Sequence, residues 1–149
     1  MALVIPAVLD AIRESQTTIV TEKELEVLGY CLMDLAKKGL VDELKLDMFN
    51  LPLYYPSPNE METLMKTNEH LNVQRMEILS HVVFSNPSGI ALYLRAALEG
   101  LLEKQFGSDI MDELFELFTQ KLAESSSLFN PENQDLVVIF VLLKRKLRT

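Results

Sequence analysis

Hydrophobic positions along the chain follow two different spacings, which predict helices and strands in mixed order. Leucines recur at helical spacing between a Thr-Glu-Lys-Glu start at residues 21–24 and a Lys-Lys-Gly end at residues 37–39. Such a start is typical of a capping box, in which Thr21 and Glu24 satisfy two free amides of the first turn. Glycine and basic residues are typical of helix ends. The pattern therefore predicts a helix from about residue 21 to residue 38.

Three further segments have start signals of the same kind. They predict a short helix from Ser57-Pro58-Asn59-Glu60 to about Lys66, a third helix from Asn86-Pro87 to about Gly107, and a fourth from a Ser108 cap to the serines at 125–127. The third and fourth segments each have one broad apolar face, so both are expected to pack inward.

Apolar and β-branched runs predict three strands. The first covers residues 2–6 and is expected to end at Pro6, because proline has no backbone N–H for a ladder. The second covers about 72–83, and the third about 135–144, where the unbroken run Leu136–Leu143 is typical of a strand buried on both faces. Residues 13–18 are predicted to be a polar connection. The order of elements predicts one α/β domain over 1–149, with a helical cap at about 21–67 and helices at about 87–124.

Composition narrows the class of protein. The 149 residues carry a net charge of −8, which argues against a nucleic-acid or anionic-membrane partner. Cys31 is the only cysteine, so no internal disulfide can form, and a reducing compartment is expected. The start lacks the basic residues of a signal peptide, and the longest apolar run has eight residues, too few to span a bilayer. We expect a cytoplasmic protein without a membrane segment.

Motifs with known chemistry are absent from the sequence. There is no glycine-rich phosphate loop and no serine nucleophile elbow, and Cys31 lies in an apolar helical stretch, where an unreactive buried thiol is expected. His70 and His81 have no cysteine or carboxylate at ligand spacing. The acidic pairs near residue 113 are expected on a solvated helix face. The residues alone therefore predict no catalytic group.

One stretch does not fit an ordinary helical connection. Residues 46–65 read LDMFNLPLYYPSPNEMETLM, with three prolines and three aromatic residues between two helix signals. Prolines hold a segment extended, so aromatic side chains can face a ligand at little entropic cost. We interpret this stretch as one wall of a substrate pocket.

The same stretch resembles the plant SABATH family of S-adenosylmethionine-dependent carboxyl methyltransferases. The later stretch YLRAALEGLLEKQFGSDIMDELFELFTQKLAES is similar to the late helices of that family, and the resemblance runs in order over essentially the whole chain. It implies the carboxy-terminal half of a Rossmann-like methyltransferase, with a helical cap and the rear strands of the sheet, closest to the branch that methylates carboxylic acids. S-adenosylmethionine would then be the cofactor and a small carboxylic acid the substrate.

Site residues follow from this resemblance position by position. It implies substrate-binding roles for Leu25, Tyr54, Leu94 and Ala97, with Ile5 and Leu136 as further candidates, although plain core packing is the alternative for each. It also implies a Mg²⁺ site made by Asp47, Asn50 and the backbone carbonyl of Phe49, whereas the residues alone read as a turn. No catalytic residue is implied.

The resemblance also implies a departure from the family. The half of the family that holds the cofactor has no counterpart in these residues, so a truncated chain, inactive alone, is expected. The alternative is a non-catalytic interaction module that associates with a methyltransferase, as a homo- or heterodimer, through the strand edge near residues 3–5.

Overall fold

The structure is a computed structural model that describes residues 1–14, 20–81, 83–130 and 135–147. The chain divides into two compact units. The sheet unit comprises Met1–Ile19, Leu53–Val83 and Asp135–Thr149, and the helical unit comprises Val20–Pro52 and Phe84–Gln134. The prediction of one domain over 1–149 stays a prediction.

The sheet unit is built on three antiparallel strands, with β3 (Leu136–Arg145) between β1 (Ala2–Val8) and β2 (Leu71–His81). Ile139 is the register partner of Ile5 on one side and of Ile78 on the other. The short helix α1 (Asp10–Glu14) follows β1, and α4 (Pro58–Thr67) precedes β2. Six buried residues form the core of this unit: Ala7, Met61, Val137, Ile139, Val141 and Leu143.

The helical unit packs α2 (Val20–Lys37), α5 (Pro87–Phe106) and α6 (Met111–Ala123), with the short α3 (Glu43–Asp47) beside them. Leucines at helical spacing on α2 and α5 meet the aromatic face of α6, so one cluster contains Leu35, Leu98 and Phe118 with no exposed surface or almost none. This closed apolar core follows directly from the broad faces in the sequence.

Helix starts agree with their sequence signals in two cases. Ser57 caps α4, and the reciprocal contacts of a capping box between Ser57 and Glu60 are both present. Asn86 caps α5 by accepting from the Gly89 N–H at 2.8 Å. Both predictions are confirmed.

Two other helix starts were predicted wrongly. The helix α2 begins at Val20, so Thr21 lies inside it rather than at the cap. Ser108 makes no side-chain cap; it begins a short 3₁₀ turn, Ser108–Ile110, and α6 starts at Met111. The positive φ of 93° at Gly107 ends α5 so abruptly that the chain needs this tighter turn before the next helix.

The strands differ from their predicted bounds in three ways. β1 continues past Pro6 to Val8, because an edge strand tolerates a residue without an N–H on its unpaired side. β2 ends at His81, so its predicted extension to Val83 is wrong. β3 buries Val137, Ile139 and Val141 on one face, while Leu142 on the other face is 37% exposed, so burial on both faces is incomplete among the described residues.

Two short helices were not predicted at all. Arg13 lies in α1 rather than in a polar connection, and the rest of that predicted connection, residues 15–18, lies outside the described residues. The helix α3 has Asp42 as its cap, with the Asp42 carboxylate accepting from the Leu44 and Lys45 N–H groups. Each has only five residues, too few for a hydrophobic period to be visible.

Candidate functional site

The aromatic loop, which we define as residues 53–57, joins the sheet unit just before α4. It has no regular secondary structure, and Tyr54 is 64% exposed while Tyr55 is nearly buried. The Val8 N–H donates to the Pro56 carbonyl at 3.1 Å, which ties the loop to the end of β1. A large aromatic side chain is therefore presented to the outside on a fixed backbone.

Glu60 connects this loop to the first turn of α4. One of its carboxylate oxygens accepts from the Ser57 N–H at 2.8 Å, and the other accepts from the Tyr54 hydroxyl at 2.6 Å. The Ser57 hydroxyl oxygen accepts from the Glu60 N–H at 3.3 Å. The same carboxylate thus caps the helix and fixes the phenol.

Arg13 of α1 contacts both the aromatic loop and the surroundings of the Glu60 carboxylate. Its Nη2 donates to the Tyr55 carbonyl, and its Nε lies 3.9 Å from Glu60 Oε2. Its guanidinium carbon lies 5.1 Å from the centroid of the Tyr54 ring, a cation–π distance. The sequence does not predict Arg13 or Glu60 as site residues, because α1 is not recognised there and Glu60 is read only as part of the helix start.

The hydrogen bond between Tyr54 and Glu60 perturbs both groups. It is the largest cause of a Glu60 pKa below the ordinary range, helped by the Ser57 N–H and the Arg13 charge. It is also the largest cause of a raised Tyr54 pKa, which Arg13 partly offsets. At neutral pH the phenol is protonated and donates to an ionised carboxylate.

The other predicted substrate-binding residues lie in the helical unit. Leu94 is 1% exposed and part of its core, whereas Ala97, one turn later on α5, is exposed. Leu25 of α2 is half-buried and packs against the same core. Leu94 thus has the position of a core residue, and Ala97 lies on the surface. The substrate-binding roles of Leu25, Leu94 and Ala97 stay predictions. Ile5 and Leu136 lie on strands of the sheet unit, where Leu136 is buried.

The predicted Mg²⁺ ligands lie at the end of α3. Asp47 and Asn50 are exposed, while the Phe49 ring packs edge-on against Phe106 with centroids 5.1 Å apart. Oxygen donors suit Mg²⁺, but only one of the three carries a charge, and the described residues contain no group of three His, Cys, Asp or Glu that could hold a metal. This set alone does not fit a Mg²⁺ site, and no chemical step is derived from the metal.

Cys31 is fully buried in the helical core. Burial is the main cause that raises its pKa to about 11, so the thiol stays protonated at neutral pH. The expectation of an unreactive thiol agrees with this position. Within the residues that the structure describes, no helix has both the length and the apolar character needed to cross a membrane.

Comparisons with known proteins define the class. A profile of the family described as "SAM dependent carboxyl methyltransferase" matches residues 1–146. A solved structure titled "Loganic acid methyltransferase with SAH" superimposes with a TM-score of 0.75 at 30% identity, covering 97% of this chain and 42% of that one. The chain therefore belongs to the family of SAM-dependent carboxyl methyltransferases, and both the family resemblance and the partial methyltransferase fold are confirmed.

Named relatives include enzymes with different acceptors. Loganic acid O-methyltransferase of Catharanthus roseus is 35% identical over 123 residues, which is 80% of this chain and 33% of the relative. Jasmonate O-methyltransferase of Arabidopsis thaliana is 29% identical over 136 residues, covering 78% and 35%. A probable 7-methylxanthine methyltransferase 2 of Theobroma cacao is 32% identical over 138 residues, covering 87% and 38%. The chain spans about a third of the length of these curated relatives.

Proposed function

We propose that this chain forms the acceptor side of a methyltransferase that transfers a methyl group from S-adenosylmethionine to the carboxylate of a small organic acid. The observation that carries this proposal is the aromatic loop, which presents the Tyr54 ring on a backbone held by the capping box of α4. A rigid exposed aromatic face is what an acceptor pocket requires, and the family profile over residues 1–146 supports the reaction class.

The reaction requires little acid–base catalysis from the protein. S-adenosylmethionine, when bound, supplies a methyl group on a positively charged sulfur. The acceptor carboxylate is already ionised at neutral pH, so no general base is needed to activate it. The contribution of this chain is then to orient the acid and to exclude water from it, and such alignment is worth up to about 7–11 kcal/mol of a barrier. This accounts for the lack of a predicted catalytic residue.

We further propose that this chain alone does not hold the cofactor. In doubly wound folds a nucleotide binds where a glycine-rich turn follows a parallel strand. Here Gly39 and Gly107 end helices with positive φ, and the described sheet is antiparallel throughout. Isothermal titration of the 149-residue chain with S-adenosylmethionine should show no heat of binding, and micromolar affinity would refute this part of the proposal.

A chimera tests the function itself. The matching segment of the loganic acid enzyme would be replaced by this chain, and methyl transfer to a panel of carboxylic acids would be measured. The proposal predicts transfer to at least one acid. Tyr54→Ala in the chimera should raise the KM for the acid, whereas Tyr30→Ala, at an exposed tyrosine of α2, should leave it unchanged. A folded chimera that binds the cofactor but methylates no acid contradicts the proposal.

For the metal, we propose that Asp47, Asn50 and the Phe49 carbonyl bind Mg²⁺ only together with further oxygen donors outside this set. The 149-residue chain should then show no saturable Mg²⁺ binding below about 1 mM, since one carboxylate gives little affinity. Chemical shifts of the Asp47 and Asn50 amides during a Mg²⁺ titration measure this. Saturation at micromolar Mg²⁺ would show that the three residues suffice.

A second candidate function rests on β1. This strand is an edge of the described sheet, and the Val4 side chain on it is 64% exposed, so we propose that the part of this edge near residues 3–5 pairs with another strand. In this alternative the chain associates with a methyltransferase subunit or with a second copy of itself. Sedimentation of the chain should then show a dimer that Val4→Lys weakens, while Leu147→Lys, at an exposed position beyond β3, has no effect.

A further inference from the structure

None of the five residues of helix α1 is fully buried. Two of its side chains, three residues apart, reach the start of α4 and the aromatic loop. Asp10 Oδ1 accepts from the Asn59 N–H at 3.0 Å, and Arg13 contacts the Tyr55 carbonyl, the Glu60 carboxylate and the Tyr54 ring. We call Asp10 and Arg13 the α1 clamp. Its contacts join segments more than forty residues apart in sequence.

The contacts of Tyr54 define which part of the side chain is free. The hydroxyl donates to Glu60 at 2.6 Å, and one ring face lies near the Arg13 guanidinium. Yet the residue is still 64% exposed. The hydroxyl is thus already engaged with a charged acceptor, so we infer that the ring face turned away from Arg13 is the part that meets a ligand. Such a surface suits the apolar or conjugated body of an acid rather than its carboxylate.

We propose that the α1 clamp is a positioning device that sets the orientation of Tyr54, so that the tyrosine offers the acceptor a ring face and not its hydroxyl. This inference rests on the proposed function for the choice of ligand, but the positioning itself concerns contacts within the sheet unit. Arg13 and Asp10 are positioning residues, since they act on the acceptor only through Tyr54 and the loop.

The guanidinium is suited to this task for two reasons. Its Nη2 donates to the Tyr55 carbonyl, while its guanidinium carbon lies near the Tyr54 ring and its Nε lies 3.9 Å from the Glu60 carboxylate. A lysine ammonium is a compact point charge and would keep fewer of these contacts. The guanidinium also lies beside Glu60, where its charge adds to the Tyr54 and Ser57 hydrogen bonds that lower the Glu60 pKa. Arg13→Lys should therefore keep the effect of a positive charge on the Tyr54 pKa, but it should lose the contacts that fix the loop.

The first test uses the 149-residue chain and needs no methyl transfer. With ¹³Cζ-labelled tyrosine, Tyr54→Phe assigns the Tyr54 signal among the four tyrosines. Arg13→Met should raise the Tyr54 pKa further, because the Arg13 charge lowers it, and Arg13→Lys should bring it back towards the wild-type value.

Asp10→Ala should speed hydrogen exchange of the Asn59 amide about threefold to tenfold, as expected for one lost hydrogen bond. The matched control is Arg75→Met, which removes an exposed arginine paired with Glu77 on β2 and should change neither signal.

The outcome that overturns the proposal is specific. If Arg13→Met lowers the melting temperature but leaves the Tyr54 titration and ring shift unchanged, then α1 merely stabilises the unit and does not position Tyr54. An equal response to Arg75→Met overturns it in the same way. Both results are read without any assumption about the reaction.

The second test adds the acceptor. In the chimera described above, Arg13→Met should raise the KM for the acid about threefold to tenfold and leave the KM for S-adenosylmethionine unchanged, with partial rescue by Arg13→Lys. An unchanged KM for the acid contradicts the proposal. If the chimera methylates no acid while Arg13→Met changes the Tyr54 ring shift and Arg75→Met does not, then the proposed function fails and the positioning by Arg13 stands.

Discussion

Each of the two units of this chain is stabilised internally by a different kind of interaction. Among the described residues of the helical unit, eighteen buried ones from α2, α5, α6 and their connections form one apolar cluster. In the sheet unit the corresponding cluster has six buried residues, and long-range polar contacts from Asp10 and Arg13 fix the parts that the cluster does not reach. The first unit is stabilised mainly by buried area, the second by ladders, caps and a few directional contacts.

This difference explains why the candidate site lies in the sheet unit. A closed apolar core leaves no side chain free to meet a ligand, and Leu94 in the middle of it is only 1% exposed. The sheet unit exposes Tyr54 on a loop whose shape depends on polar partners that can be changed one at a time. A site that must orient a substrate is better built from such contacts, because directional bonds fix an angle and apolar packing does not.

The largest expected effect is on the helical unit. Leu94→Ala should lower its free energy of unfolding by about 2–5 kcal/mol, because the truncation leaves a cavity in a closed core. Leu92→Ala, at a 71% exposed position of the same helix, is the control and should change it by less than about 0.5 kcal/mol. Urea unfolding followed by circular dichroism measures both. Equal small effects would show that Leu94 faces a ligand space and not a packed core.

The second prediction concerns access of reagents to the same core. A thiol with a pKa of about 11 is ionised to only about one part in a thousand at pH 8, so Cys31 should react with a disulfide reagent at least about a hundredfold more slowly than a free cysteine. Denaturant should restore the ordinary rate. Fast reaction of the native chain would mean that the helical core opens readily and that the contrast between the two units is smaller than described.

A smaller effect is expected at the helix cap of the sheet unit. Ser57→Ala should cost about 1 kcal/mol, because Ser57 is 2% exposed and its hydroxyl is the acceptor for the Glu60 N–H. Asn86→Ala removes the exposed cap of α5 in the helical unit and should cost less, since water can replace the lost contact there. Chemical denaturation of the two variants compares them. A larger cost for Asn86→Ala would contradict the dependence of the sheet unit on polar contacts.

The smallest expected effect is a dependence on pH. The folded pKa of Glu60 is lowered, so its contribution is present above the unfolded value of about 4.3 and is lost as the pH falls through the folded value. Its side chain is 41% exposed, which limits the contribution to a few tenths of a kcal/mol. Tyr54→Phe, which removes the largest cause, should raise the Glu60 pKa towards the ordinary range in a carboxyl ¹³C titration. A Glu60 that titrates near 4.3 in the wild-type chain would show that the contact with Tyr54 is not formed.

Much of the fold could be predicted from the sequence, because its signals are local. The Ser57 and Asn86 caps and the apolar run of β3 each depend on residues close together in the chain. The α1 clamp could not be predicted in this way. Asp10 meets Asn59, and Arg13 meets Tyr55, only after the strands have paired, and no spacing within α1 records those partners.

The candidate site shows the same division. The prolines and aromatic residues predict the loop as a pocket wall, and the family resemblance implies the role of Tyr54, but its partner Glu60 is recognised only as a helix cap. The family resemblance implies that Leu94 and Ala97 both line the pocket, yet Leu94 is buried and Ala97 is exposed. The two residues lie three apart on α5, on opposite sides of the boundary of its apolar face.

The place of β3 in the sheet has a consequence for how the chain is made. Both neighbours of β3 are synthesised earlier, and all of α5 and α6 are translated before it appears. Until then β1 and β2 have no common partner among the described strands, while the helical unit already has every residue of its core. A nascent chain that has not yet reached Leu136 would therefore hold the described helical core and two unpaired strands, a form prone to aggregation or chaperone capture.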